Sequence, residues 1–183
     1  MLWIAFLRAV NVGGRVVRME HLRALFAELG LLGVRTYIQS GNVFFRTPDG
    51  EAQDRAALTA RIEKHLGQAL GFEVPVLLRT ADEVAATLAA APFAAAGLEP
   101  GPEIRLCVAF TSEPLPRERL PLRDPKGTWE VLDADEGAAF VVLHLENGRL
   151  GGNAGAAVER AFGVTATSRF FHTTQKILAA ARK

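Results

Sequence analysis

One cysteine, Cys107, stands in 183 residues. No internal disulfide can form, so the fold has to hold by burial. A lone thiol fits a reducing compartment, and the cytoplasm is the expected location. Cys107 lies inside the apolar run IRLCVAF and reads as an inert core thiol, not a nucleophile. No uncharged apolar run reaches the ~18 residues that mark a membrane span, so no membrane partner is expected. Arg8 interrupts the hydrophobic start and no small-residue cleavage site follows, so no secretory leader is expected either. The histidines, His21, His65, His144 and His172, lack metal-ligand spacing, and no metal or cofactor is expected. Net charge is only +1, which argues against broad electrostatic binding of nucleic acid.

What is present is an apolar chain, 49% hydrophobic, long enough to bury a core without a metal. Its charge is uneven. Arg8, Arg15, Arg18, Arg23, Arg35 and Arg46 face only Glu20 and Glu28 over residues 1–46, whereas residues 81–183 are slightly acidic. The basic excess surrounds IAFLRAVNVGG, Ile4 to Gly14, a strand with both faces apolar that runs through Val10 into a glycine turn.

The chain then reads as alternating elements. Met19 to Leu29 is an amphipathic helix stopped by Gly30. RTYIQ and VFFR are strands joined by a tight turn at Ser40-Gly41-Asn42. Thr47 to Gly50 is a further turn, and Leu58, Ile62, Leu66 and Leu70 line a second helix that Gly71 closes. Val74 to Leu78 is the fourth strand. This is the β-α-β-β-α-β, ferredoxin-like pattern. Thr80-Ala81-Asp82-Glu83 is a capping box that opens a third helix, which ends before Pro92. The later half repeats the pattern loosely: IRLCVAF, a proline-rich loop with one helical turn, TWEVLD, AAFVVLHL, a helix after Gly151-Gly152-Asn153, a strand near Val164 to Thr167, and a helix from Thr173. The expected class is α+β: two ferredoxin-like halves packed together, with an added C-terminal helix. The boundaries are residues 1–80, a helix and linker at 81–102, and residues 103–183. The second apolar face of the first strand needs a cover, which places a cleft between the halves near the strand ends.

FLRAVNVGG, RMEHLRALFAELG and VRTYIQSGNVFF at the start, with VTATSRFFHTTQKIL at the end, resemble the domain of unknown function 1697 family. The resemblance implies cytoplasmic bacterial proteins built from two α+β, ferredoxin-like parts. It brings no established activity. Ala9 stands where the family usually has glycine, and Phe170-Phe171-His172 replaces its usual Asn-Trp-Asn; Thr167, Arg169, Thr173 and Lys176 fit its pattern.

Three constellations are candidate ligand-binding sites. Arg8, Asn11, Gly13 and Gly14 combine a guanidinium clamp with a glycine turn whose N–H groups can converge on an anion. The bland alternative is a strand-ending turn with a structurally paired arginine, and the lack of a following lysine excludes a P-loop. Gln39, Ser40 and Asn42 can aim amides and a hydroxyl into a cleft, or can serve as ordinary hairpin residues around Gly41. Thr167, Arg169, Thr173 and Lys176 include a hydroxyl and an ammonium three apart on one helix face, able to bind phosphate or to act as a cap and a solvated lysine.

The expected function is binding of a small molecule or nucleotide-type phosphate anion between the halves. An alternative is a phosphate-transfer or acyl-phosphate hydrolysing enzyme. Acylphosphatases hold substrate with an arginine and an asparagine on a ferredoxin-like sheet, but NVGGR does not match their loop and no base or nucleophile is evident. A further alternative is an RNA- or protein-binding module using the basic first half, although the RNP pattern is absent.

Overall fold

The structure is a computed structural model, and it describes residues 1–39, 41–48 and 54–183. Ser40 and part of the expected Thr47–Gly50 turn lie outside the described residues. The elements are β1 (Leu2–Leu7), α1 (Met19–Glu28), β2 (Leu32–Tyr37), β3 (Asn42–Arg46), α2 (Arg55–Leu70), β4 (Val76–Thr80), α3 (Ala81–Ala90), β5 (Ile104–Thr111), β6 (Leu122–Arg123), β7 (Trp129–Ala134), β8 (Ala138–Glu146), β9 (Arg149–Leu150), α4 (Ala154–Phe162), β10 (Ala166–Phe170) and α5 (Phe171–Ala181). A 3-10 turn, Arg117–Arg119, fills the proline-rich loop as its sequence suggests. The result is mixed α+β, with two antiparallel sheets. No described helix is long and apolar enough to cross a membrane.

The chain divides into two compact units, Met1–Glu83 with Ile177–Lys183, and Val84–Lys176. In the first, the sheet order is β2-β3-β1-β4 with every neighbouring pair antiparallel. α1 and α2 cover the face that carries Trp3, Ala5, Leu7, Val43 and Phe45. Leu22, Leu25 and Phe26 face inward from α1, and Leu58, Ile62 and Leu66 from α2, as their helical spacing requires. Phe26 meets Phe45 with ring centroids 5.6 Å apart. Ile4, Phe6 and Phe44, in the opposite strand phase, are also fully buried, so β1 is apolar on both faces for a physical reason. Val10 is buried but stands outside the strand, which ends at Leu7.

The outer edge of this sheet, β2, is irregular. Its register shifts between Leu32 and Arg35, where Gly33 takes φ +60°. Arg35 then donates to the carbonyls of Ala180 (3.0 Å) and Ala181 (2.8 Å), so a guanidinium caps the open C-terminal end of α5.

α3 opens with the capping box that Thr80 and Glu83 predict. Glu83 N–H donates to the Thr80 hydroxyl at 3.1 Å, and Thr80 N–H donates to the Glu83 carboxylate at 2.7 Å. Burial alone would raise the pKa of Glu83, but the Thr80 N–H, the Arg55 ion pair and the charge of Arg79 outweigh it and hold the carboxyl below its ordinary range. The stability this lends is present above the ordinary glutamate range and is lost as pH falls through the lowered value.

In the second unit the sheet order is β10-β5-β8-β7-β6, with β9 paired to β8. α4 packs Ala154 and Val158 on a face made by Cys107, Ala109, Val131, Ala139 and Val141. Gly155 lets it lie close, because a Cβ there would stand 3.2 Å from Thr167 Cα. Cys107 is buried in this core, and burial, partly offset by the Arg105 charge, pushes its thiol up to about 12. It stays protonated and inert at neutral pH.

Candidate functional site

The first constellation sits where β1 gives way to the loop of residues 8–18. Arg8 N–H donates to the Pro75 carbonyl at 2.9 Å, which ties the loop beside the approach to β4. Ala9 and Asn11 both take φ +58°, and Gly13 and Gly14 take +62° and +84°. Asn11 is committed at both ends of its amide. Nδ2 donates to the Gln39 carbonyl at 2.8 Å, and Oδ1 accepts the Val17 N–H at 2.7 Å. Asn11 is therefore a staple between this loop and the β2–β3 turn. Gly13 and Gly14 are exposed, with no atom within 4 Å of where a Cβ would be. The Arg15 guanidinium lies 4.8 Å from the centroid of the Phe72 ring. Arg18, exposed, occupies the N-cap of α1 and makes no capping hydrogen bond.

Ala9 spends energy in this loop. An alanine in the left-handed region costs roughly 1–2 kcal/mol, against which glycine loses conformational entropy on folding. Ala9→Gly should therefore stabilise the protein by about 0.5–1 kcal/mol, read as a rise in the urea midpoint at unchanged m-value.

The second constellation meets the first directly. The Gln39 side chain is exposed while its carbonyl holds Asn11. Gly41 C=O accepts the Leu7 N–H at 2.8 Å. Asn42 is not a turn residue: it opens β3, is fully buried, pairs with Tyr37 across the hairpin and donates Nδ2 to the Tyr37 carbonyl at 3.0 Å. The expected turn thus ends one residue earlier than Asn42, whose buried amide finds its partner across the hairpin.

The third constellation lies around β10 and α5. Thr167 and Arg169 are both buried and share one strand phase; Arg169 Nη1 donates to the Thr167 hydroxyl at 3.0 Å and to the Ser168 carbonyl at 2.8 Å. Burial pushes the Arg169 guanidinium down to about 10, so it remains a cation at neutral pH. α5 begins at Phe171, so Thr173 lies inside its first turn and not at its cap. Thr173 is half-buried and Lys176 exposed. The hydroxyl that closes this turn is Thr174, which is fully buried and donates to the Phe170 carbonyl at 3.1 Å. Asp133 and Asp135, at the connection between β7 and β8, are taken up locally, by Arg117 and by the N–H groups of Gly137 and Ala138. Among the described residues no group of His, Cys, Asp and Glu is arranged to hold a metal.

The family model described as a protein of unknown function, DUF1697, matches residues 1–140. The chain belongs to this family. No curated protein matches the chain. Among solved structures it is similar to the conserved bacterial protein SP0830 from Streptococcus pneumoniae, with 21% identity, a TM-score of 0.68 and 98% of each chain covered. At that identity the likeness concerns the fold. The matched region contains the Arg8–Gly14 and Gln39–Asn42 segments, and the third constellation lies beyond it.

One feature escaped the sequence reading. Pro100, Gly101, Pro102, Arg105, Phe170 and His172 line a cavity of about 390 Å³ in the second unit. The signal was available: an arginine inside the apolar strand IRLCVAF needs a reason to be there.

Proposed function

We propose that the protein binds a small phosphate- or carboxylate-bearing molecule at the loop between β1 and α1. The observation that carries this reading is the start of α1. Four residues separate the positive-φ glycine turn from α1, and the helix opens with Arg18, not a capping side chain, at its N-cap. A helix N-terminus without a side-chain cap carries positive partial charge, and successive N–H groups in such a turn form an anion-sized concavity. Arg15 and Arg18 add full charges to the same short segment. Glu20, in the first turn, opposes them and limits affinity. Gly13 and Gly14 leave room for close backbone approach. Arg8, Asn11 and Gln39 then serve chiefly to hold the loop.

We also infer that both units are ferredoxin-like. The first has the strand order fourth-first-third-second with two helices on one face. The second keeps the same order in β10-β5-β8-β7, with the 3-10 loop and β6 in place of the first helix. A cytoplasmic location is part of the same reading and rests on the lone buried thiol.

Titration calorimetry with pyrophosphate at fixed ionic strength tests the anion site. Wild type should bind, and the double variant Arg15→Gln, Arg18→Gln should bind at least about tenfold more weakly, since a charge-assisted hydrogen bond contributes roughly 1.5–3 kcal/mol. Equal affinity in the two proteins, or no heat from wild type at millimolar pyrophosphate, overturns the proposal.

A further inference from the structure

The cavity in the second unit has the chemistry of a ring-binding slot, and this inference is independent of the anion site. Its wall is built from two paired strands. Phe170 on β10 lies opposite Cys107 on β5. Arg105, two residues before Cys107, shares the same face, consistent with the influence of its charge on that thiol. His172 continues from Phe170 and stacks on it, with centroids 5.8 Å apart and planes 14° from parallel. His172 is exposed and lines the cavity. Phe171 is fixed in the other direction by an edge contact with Phe93, at 5.2 Å and 74°, and Phe93 is held in turn by Phe140 at 6.0 Å and 88°. These edge contacts pack the strand end that carries the stack into the core.

Arg105 is held as firmly. Its Nη1 donates to the carbonyls of Gly101 and Ile104. Both protons of that nitrogen are used. Among the described residues the Nε and Nη2 protons have no acceptor, and together they form one flat edge with two parallel N–H donors. Pro100 and Pro102 add apolar sides.

We propose that this cavity binds a guanine base, as a free nucleoside or nucleotide. A stacking surface demands a flat ring, and the guanidinium edge demands two adjacent in-plane acceptors. Guanine O6 and N7 present that pair, and arginine meets it bidentately. Adenine places an amino donor at position 6, against the donors of Arg105. An aromatic carboxylate would match the edge, but its charge is disfavoured by the neighbouring carboxylates of Glu99 and Glu103, which are exposed on the same loop. A cavity of about 390 Å³ is within the range of small-ligand sites.

The test is titration of the whole protein with guanosine, guanosine monophosphate, adenosine and benzoate, followed by calorimetry and ligand-observed NMR. Guanosine should bind, its monophosphate more weakly because its charge meets the same carboxylates, and adenosine at least tenfold more weakly than guanosine. His172→Ala, a substitution of an exposed side chain, should keep the wild-type melting temperature and weaken guanosine roughly 5- to 150-fold, the range that loss of one base–aromatic stack produces. Arg105→Lys should narrow the difference between guanosine and adenosine. Failure of guanosine to bind at millimolar concentration overturns the proposal, as does adenosine or benzoate binding as tightly as guanosine. Unchanged guanosine affinity in His172→Ala overturns it as well. Because neither variant touches residues 8–18, these results are separable from those of the pyrophosphate experiment.

Discussion

Gly41→Ala should destabilise the protein by about 2–4 kcal/mol, while Gly13→Ala should cost only about 1 kcal/mol. Both glycines have positive φ, +75° and +62°. They differ in their surroundings. A Cβ on Gly41 would stand 2.9 Å from Leu7 Cβ and 3.4 Å from Val10 Cβ, whereas a Cβ on Gly13 meets nothing within 4 Å. Leu7 Cβ is fixed to the central strand, and Leu7 N–H is bonded to the Gly41 carbonyl, so relief of the clash would break that hydrogen bond. Gly41→Ala therefore incurs both backbone strain and overpacking, and Gly13→Ala incurs strain alone. Urea unfolding of the two variants measures the difference directly. Equal losses would mean that the turn does not sit against β1 as described.

Asn11→Ala is the second large effect. Removing the amide leaves the Val17 N–H and the Gln39 carbonyl without their partner and puts alanine at φ +58°. A loss of about 2–3 kcal/mol is expected from the hydrogen bonds and the left-handed backbone together. Asn11→Asp keeps the acceptor for Val17 and should recover part of that loss. The comparison separates two roles. A ligand-binding asparagine would change affinity and leave the unfolding midpoint in place; a staple moves the midpoint. If Asn11→Ala unfolds like wild type and pyrophosphate binding falls, the amide belongs to the ligand.

What the sequence discloses here follows from how local each cause is. The capping box at Thr80–Glu83 was legible because all its partners lie within four residues. α1 and α2 were legible because one apolar stripe fixes the buried face. β6 and β9 were not, since two-residue strands exist only through the partner they pair with. The starts of β4 and β10 fall two residues later than the apolar pattern suggests, because pairing with β1 and β5 sets them. The polar residues show the same limit. Asn11 and Asn42 were visible as amides in an apolar setting, but the acceptor of Asn11 is 28 residues away, and nothing in the chain order points to it. Thr174 was passed over for Thr173 because the helix starts at Phe171, a boundary set by the end of the β5–β10 ladder.

An outermost strand is an invitation to further chains, since its outward N–H and C=O groups can template another strand and then another. β2 withdraws that invitation. The extra residue at Gly33 breaks the repeat, and the neighbouring Arg35 is drawn to the last carbonyls of α5, placing a charge where an incoming strand would dock. A straightened β2 would leave the native packing almost intact, and its penalty would fall on colloidal behaviour, as fibrils or precipitate at high concentration.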